Sequence, residues 1–432
     1  WQAWAERAMV LPVNPRKPSA QKFNKKKRFK LSKGDELDQY KGPFVKGKSV
    51  QFSAEVIGGG KDAFIGAVHR LAFNMDGQVE LVAGALSVNP ELAIDSGRAL
   101  FLQPDRIYTD YKQMLEQEAA RNAEERIDFV SIVTPNFLHF EPAMLALEKG
   151  FHVVVEKPIT FTLEQAKLLR DKVRETGKLL LLCHTYTGYP MVKQARRLIH
   201  SGALGKVRKV YVEYPQGWLS TYLEGANNPQ AAWRTDPKRS GKAGAMGDIG
   251  THAFNMAEYV SGLEVTKICA DVNTVVEGRL LDDDGAALLK FNNGASGVLM
   301  ATQIAAGAEN NIKVRVFGEK GGLEWQQEEA NTLLVKWPDR PAEIYRAGSG
   351  YVDSFAKHNA RTPAGHPEGY LEAFANLYRN FAASLRAKLN GQEATPEMRD
   401  FPSVEEGVRG MAFIDHVIAS GHSEQKWIDF TV

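Results

Sequence analysis

Two short stretches hold the side chains best able to do chemistry. Residues 153–158 read Val-Val-Val-Glu-Lys-Pro, and residues 247–252 read Gly-Asp-Ile-Gly-Thr-His. The first is a β-branched run that ends in a carboxylate, Glu156, an ammonium, Lys157, and the chain-stiffening Pro158. Such a run is a buried strand of a parallel sheet, and open α/β sheets bind ligands outside the carboxyl ends of their strands. A buried ammonium there needs a partner, because an unpaired charge in an apolar site is costly. The alternative is that Lys157 is simply solvated where a strand ends. In the second stretch Asp248 and His252 are four residues apart, on one helical face, with Asn255 close to it. The pair is either a structural hydrogen bond or two metal ligands. No third-ligand pattern such as His-Glu-x-x-His accompanies it, so no metal is expected.

These groups need a scaffold, and the preceding sequence supplies one. Residues 52–57 alternate and then turn apolar, Gly58-Gly59-Gly60 follows, and Lys61-Asp62-Ala63 leads into a helical pattern opened by Phe64 and Ile65. Gly58, Gly60 and Ala63 satisfy Gly-x-Gly-x-x-Gly/Ala between a strand and a helix. Glycines let backbone N–H groups approach a pyrophosphate at the positive end of a helix; the alternative is only a tight turn. A second strand, 79–86, ends at Ser87. Folds that prefer NAD usually place Asp or Glu there, and none comes before Glu91. No Arg stands beside Ser87 to take a 2′-phosphate, so NAD and NADP both stay open.

Residues 128–134 form another buried strand, leading through Thr134 and Pro135 to Asn136 and His139 at the carboxyl edge. Asn136 alternatively caps a helix and His139 faces that helix's surface. Helices over 141–150 and 162–176 and a strand over 178–184 complete an alternation from residue 50 to 184, which is a doubly wound parallel sheet. Beyond it, strands over 207–214, 265–277, 286–291, 295–302 and 312–317 follow without helices between most of them. They predict a broad, mostly antiparallel sheet. The expected organisation is an arm over 1–50, a dinucleotide-binding domain over 51–184, and a substrate and assembly domain over 185–432.

Composition narrows the class. A chain of 432 residues exceeds one ordinary core, and no apolar run approaches the roughly 18 residues needed to span a bilayer. Cys183 and Cys269 are the only cysteines, which predicts neither a disulfide framework nor a cysteine metal site and suits a reducing compartment, the cytoplasm. The chain begins at Trp1, so a removed export signal is left open. Residues 1–50 carry thirteen Lys or Arg against four acidic residues, a net +9 that leaves −7 for the rest of a chain totalling +2. No nucleic-acid fold follows that basic cluster. An extended arm, free or laid across a partner subunit, is expected instead of nucleic-acid binding.

The Gly-rich turn, Thr134-Pro135-Asn136 with His139, Glu156-Lys157-Pro158, and Asp248 with His252 stand in one order along one chain. That combination resembles the Gfo/Idh/MocA oxidoreductases over roughly residues 50–432, with Glu-Lys-Pro its most specific motif. The resemblance implies an N-terminal Rossmann domain and a C-terminal α/β domain. The open sheet of the latter would pack in homodimers or homotetramers. It also implies oxidation of a ring hydroxyl of a sugar or cyclitol with NAD or NADP. By the same resemblance Lys157 touches nicotinamide and substrate hydroxyl, and Asp248 and His252 complete the catalytic set. The basic arm and the long spacing from Gly60 to Gly66 depart from the pattern.

The chemistry is coherent on its own terms. Alcohol oxidation removes a hydride from carbon and a proton from oxygen. A neutral His252 suits the proton, Lys157 suits the developing alkoxide charge, and Asp248 either orients the ring or shares the hydroxyl. For a sugar ring, Tyr186, Tyr189, Trp218, Tyr222, Trp233 and Arg234 offer stacking and hydrogen bonds, though aromatics also build cores. Arg234 alternatively pairs with Asp236. His184, at a strand end, and His366, ahead of a late amphipathic helix, are further substrate candidates. One rival is a glycosidase that holds NAD tightly and cleaves through oxidation, elimination and re-reduction. The other is a non-catalytic nucleotide-binding scaffold.

Overall fold

A computed structural model describes residues 52–432 except Asp62 and Asn227. The basic arm over 1–50 lies outside the described residues. Five short strands, β1 (Phe52–Ile57), β2 (Val79–Ala85), β3 (Phe129–Ile132), β4 (His152–Val155) and β5 (Leu180–Leu182), form a parallel sheet in the order β2-β1-β3-β4-β5. Strands β3, β4 and β5 are buried along their whole length, as apolar runs flanked by helices must be. The strand order reverses between β1 and β3, so the crevice for a ligand opens outside the ends of those two strands. Local chemistry fixes the helices between them. Thr162 accepts from Gln165 N to start Leu163–Thr176, and Gly177 ends it with φ of 62°.

Nine strands make the second sheet: β6 (Val207–Pro215), β7 (Val265–Asn273), β8 (Asp284–Phe291), β9 (Ser296–Thr302), β10 (Lys313–Gly318), β11 (Gly322–Gln326), β12 (Thr332–Lys336), β13 (Glu343–Arg346) and β14 (Trp427–Asp429). Their order is β13-β12-β11-β10-β6-β9-β8-β7-β14, antiparallel except for the parallel pair β6–β9. Strand β7 stops at Asn273, short of the predicted residue 277. The chain turns there because Asp283 accepts from the N–H groups of Val275 and Val276 at 2.8 and 2.9 Å. One face is covered by the helices Thr251–Ser261 and Val404–His422. Among the described residues the other remains open.

The helix Tyr370–Leu389, late in sequence, packs on the first sheet. Its Phe374, Tyr378 and Phe381 share a core with Phe52, Val56, Phe73 and Phe129. The two sheets belong to one compact unit, and this helix ties late sequence to the first Rossmann strands.

Candidate active site

The glycine loop is pressed flat against neighbouring strand ends. A Cβ on Gly58 would meet Thr134 Cγ2 at 2.9 Å, one on Gly59 the Cα of Gly66 at 2.8 Å, and one on Gly60 the Leu86 carbonyl at 2.8 Å. Gly58 and Gly59 also have φ of 84° and 68°. The loop leads to the N-terminus of the helix Phe64–Asn74, with Ala63 at the N-cap and Phe64 and Ile65 half-buried in its first turn. The close helix contact comes from Gly66, whose Cβ would meet Gly59 Cα at 2.4 Å. Its spacing is longer than the sequence pattern, which is why the pattern selects Ala63 instead.

Around this loop the other candidates take definite places. Ser87 is half-buried and accepts from Asn89 N at 3.1 Å, while Asn89 caps the helix Pro90–Ala99. Asn136 is buried; its Nδ2 donates to Ser240 O at 3.0 Å and its Oδ1 has no partner among the described residues. The ring nitrogens of buried His139 face main-chain carbonyls, Nδ1 that of Pro158 at 2.8 Å and Nε2 that of Thr134 at 2.7 Å. His139 therefore braces the turn after Lys157 against the exit of β3. Burial pulls its pKa below the ordinary value despite those carbonyls.

Glu156 is also a brace. Its Oε1 meets His69 Nε2 at 3.0 Å and its Oε2 accepts from Lys157 N at 3.0 Å. Burial would raise this carboxyl, but the His69 hydrogen bond and charge outweigh it and hold it low. His69 in turn meets Tyr378 of the helix Tyr370–Leu389 through Nδ1 at 2.5 Å.

From this support Lys157 reaches across to the second half of the chain. Its Nζ donates to Asp248 Oδ1 and to the Asp248 carbonyl, both at 2.8 Å. Asp248 lies in a π-helical turn, Met246–Gly250, that runs into the helix Thr251–Ser261. Such wide turns are rare and occur often at functional sites. Asp282 anchors its entry, accepting from Gly244 N at 2.6 Å and Met246 N at 2.7 Å. Asp248 Oδ2 accepts from Gln303 Nε2 at 2.9 Å and lies 3.5 Å from Arg234 Nε. Burial opposes the charge of Asp248, yet Lys157 and Arg234 prevail and hold its carboxyl well below the usual range.

Arg234 thus serves Asp248, with its guanidinium 4.3 Å from the ring centre of Trp233 and 5.9 Å from that of Trp218. Asp236, the partner offered by sequence, instead caps the short helix Pro237–Ser240 through Lys238 N. Asp248 and His252 share no hydrogen bond. Buried His252 points Nδ1 at Nδ1 of His184, 3.1 Å away, and packs edge-on against Tyr186 at 4.9 Å. Burial, then Lys157, lowers both imidazoles, His184 to about 3 and His252 well below its ordinary value.

A chain of amides and phenols, unmarked by sequence motifs, extends the site. Gln303 Nε2 also meets Gln216 Oε1 at 3.3 Å, which takes Trp218 Nε1 at 3.0 Å. Gln216 Nε2 donates to Asn310 Oδ1 at 2.5 Å, and Asn310 Nδ2 donates to Tyr186 OH at 3.2 Å. Gln216 and Gln303 each stand one residue past the paired ends of β6 and β9. The rule that ligands gather beyond parallel strand ends would find them, but only once that pairing is known. Buried Tyr189 stacks parallel to Tyr186 at 6.5 Å, and Tyr222 is exposed. His366 is also exposed, its carbonyl taken by Thr362 Oγ1, so it does not join this cluster.

Residues 52–184 match the oxidoreductase family with an NAD-binding Rossmann fold, and residues 192–324 match the GFO/IDH/MocA C-terminal domain. The chain is 30% identical over 378 residues to the uncharacterized oxidoreductase YfiI of Bacillus subtilis, covering 87% of this chain and 96% of that one. This chain belongs to the Gfo/Idh/MocA oxidoreductases. Within the Gfo/Idh/MocA family it is 27% identical to levoglucosan dehydrogenase of Pseudarthrobacter phenanthrenivorans, over 87% of this chain and 97% of the relative. An inositol dehydrogenase homolog of Azotobacter vinelandii, solved with NAD+, superposes with a TM-score of 0.84 at 32% identity, covering 90% of this chain and all of that one. The first sheet is thus an NAD-binding Rossmann fold, and its local features fit the cofactor. The glycine cradle would be filled by any Cβ, and buried Asn136 Oδ1, two residues past the Thr134 that Gly58 abuts, has no partner among the described residues. Among the described residues no helix is long and apolar enough to cross a membrane.

Proposed function

We propose that this oxidoreductase oxidises a secondary ring hydroxyl of a sugar, glycoside or cyclitol. The observation that carries the reading is the ion pair between Lys157, just past the end of a Rossmann strand, and Asp248, one helical turn before the buried His252 whose charge Lys157 disfavours. The relatives named for levoglucosan and inositol oxidation favour this substrate class. Gly58, Gly60, Ala63, Phe64, Ile65, Ser87, Thr134, Pro135 and Asn136 would hold the cofactor, with Lys157 beside its reactive end. Bound NAD supplies the acceptor for the hydride.

The residues of the chain handle the oxygen and its proton. Lys157 donates two hydrogens to Asp248 and keeps a third for the substrate oxygen, so its charge stabilises the alkoxide as it forms. Asp248 keeps that ammonium paired and aimed. His252, neutral because burial disfavours its charge, takes the hydroxyl proton. Its low basicity is offset by Lys157, which makes the hydroxyl more acidic. Arg234 with Trp218 and Trp233 offers a cationic and aromatic wall to a polyhydroxylated ring.

Reduction of NAD and NADP across sugars, cyclitols and simple glycosides, with Lys157→Ala and His252→Ala beside the native chain, tests the reading. Each substitution is expected to cut turnover at least roughly a hundredfold. Near-native turnover in both variants would sink it. Glycoside cleavage without net NADH formation would replace it by the redox-cycling glycosidase. We also infer a homodimer or homotetramer formed through the open face of the second sheet.

A further inference from the structure

The contact between His184 and His252 constrains protons as well as positions. Their Nδ1 atoms are 3.1 Å apart, the rings stand edge to face at 79°, and the residues are 2% and 8% exposed. Two nitrogens at that distance share one proton, because two N–H groups would collide and two lone pairs would repel. Both rings are neutral, burial and Lys157 disfavouring charge on either, so each carries a single N–H. The tautomers are therefore opposed. If His252 holds its proton on Nδ1, His184 holds its own on Nε2; if the proton between them belongs to His184, Nε2 of His252 is protonated and has no lone pair to offer.

The surroundings choose between these states once a hydroxyl proton must be removed. Lys157 is an ion-paired donor to Asp248, and Asp248, held ionised by Lys157 and Arg234, is a poor base. Tyr186 and Tyr214, the other ionisable groups packed against the pair, are phenols that burial keeps protonated. Of the two Nε2 lone pairs that the opposed tautomers allow, that of His252, the more exposed ring at 8% against 2%, is the one left for the substrate. We propose that His184 is a positioning residue that sets the tautomer of His252: its Nδ1 accepts the Nδ1 proton of His252 and leaves Nε2 of His252 free as the base. This rests on the dehydrogenase reading above. His184 is itself rigidly held, its N bonded to Leu182 O at 2.9 Å and its carbonyl taking Thr187 Oγ1 at 2.9 Å. The carboxylate that a His-based site ordinarily uses for this purpose is here spent on Lys157, and a neutral imidazole stands in its place.

Tautomer-sensitive proton–nitrogen spectra of the full chain labelled with 15N-histidine, at neutral pH with NAD bound, read the state directly. Signals are assigned with His184→Asn and His252→Gln. The expected result is an Nδ1–H ring for His252 and an Nε2–H ring for His184. An Nε2–H ring for His252 overturns the proposal, while substrate-dependent NADH formation, measured separately, still decides the dehydrogenase reading. In kinetics His184→Phe, which removes the acceptor, is expected to lower kcat roughly a hundredfold with NAD affinity by fluorescence titration retained. His184→Asn places an amide oxygen near the Nδ1 position and is expected to recover at least about tenfold of that loss. Equal losses in both variants would overturn the assignment.

Discussion

His252 is tuned away from its ordinary basicity, and pH is the direct probe of that tuning. A base must be deprotonated to work, and burial, Lys157 and His184 all depress the His252 imidazole below its ordinary value. As pH falls, the ring therefore stays neutral through the range in which an exposed histidine charges. The acid limb of kcat/KM is expected to lie below pH 6.5, the unperturbed value. A limb at or above 6.5 would mean that another group carries the proton. At this scale the sequence was informative where a local rule applied. Lys157 follows from the strand-end rule and Asp248 with His252 from helical spacing. Gln216, Gln303 and Asn310 were invisible because what unites them is strand pairing, which no local pattern encodes. Arg234 was named from sequence, but its pairing with Asp248 was not, because Asp248 is near only after folding.

Elements hold these residues through a few polar anchors. The π-turn Met246–Gly250 keeps Asp248 against Lys157, and its entry depends on Asp282. Asp282→Ala strips an acceptor from two buried N–H groups, each worth about 1–3 kcal/mol when left unsatisfied. A clear drop in Tm is expected, together with a fall in kcat because Asp248 loses its fixed place. A lowered Tm with native kcat would show that the turn holds itself. Strand β1 presents the opposite case. Glu55 is buried in it, and neither carboxylate oxygen has a partner among the described residues. Burial first, and Glu118 next, push this carboxyl well above its ordinary value. Above the unfolded pKa near 4.5, the unfolded chain releases a proton that the folded one retains, so the folded state loses ground as pH rises. Glu55→Gln removes that loss. Its Tm relative to native is expected to grow from pH 4 to pH 8, and a difference flat across pH would exclude an ionisable Glu55 as its source. The strands around such groups were legible from β-branched runs. Strands β11 to β14 were not, being short and partly exposed, so that pairing, more than composition, defines them.

Among the described residues the first sheet is the NAD-binding Rossmann fold, the turn beside the second brings Asp248 against Lys157, and the second sheet's far face is left bare. On that face the register lines up Tyr211, Val298 and Leu288 across three adjacent strands, with Met300 beside them. Leu288 is 46% exposed, and the row is flanked by Lys209, Lys290 and Arg315. A contiguous apolar strip with a charged rim is the usual make-up of a self-complementary interface, and a nine-stranded sheet is broad enough for the ~800 Å² per partner that stable pairs bury. The native chain is therefore expected to run as a dimer or tetramer in light scattering coupled to gel filtration. Leu288→Glu with Val298→Glu would put two carboxylates in the strip's centre, where pairing would strand them without water or counter-charge. That variant is expected to run as a monomer with an unchanged far-ultraviolet spectrum, since neither side chain enters the core. A native monomer, or a variant that keeps its native mass, would place the assembly surface elsewhere.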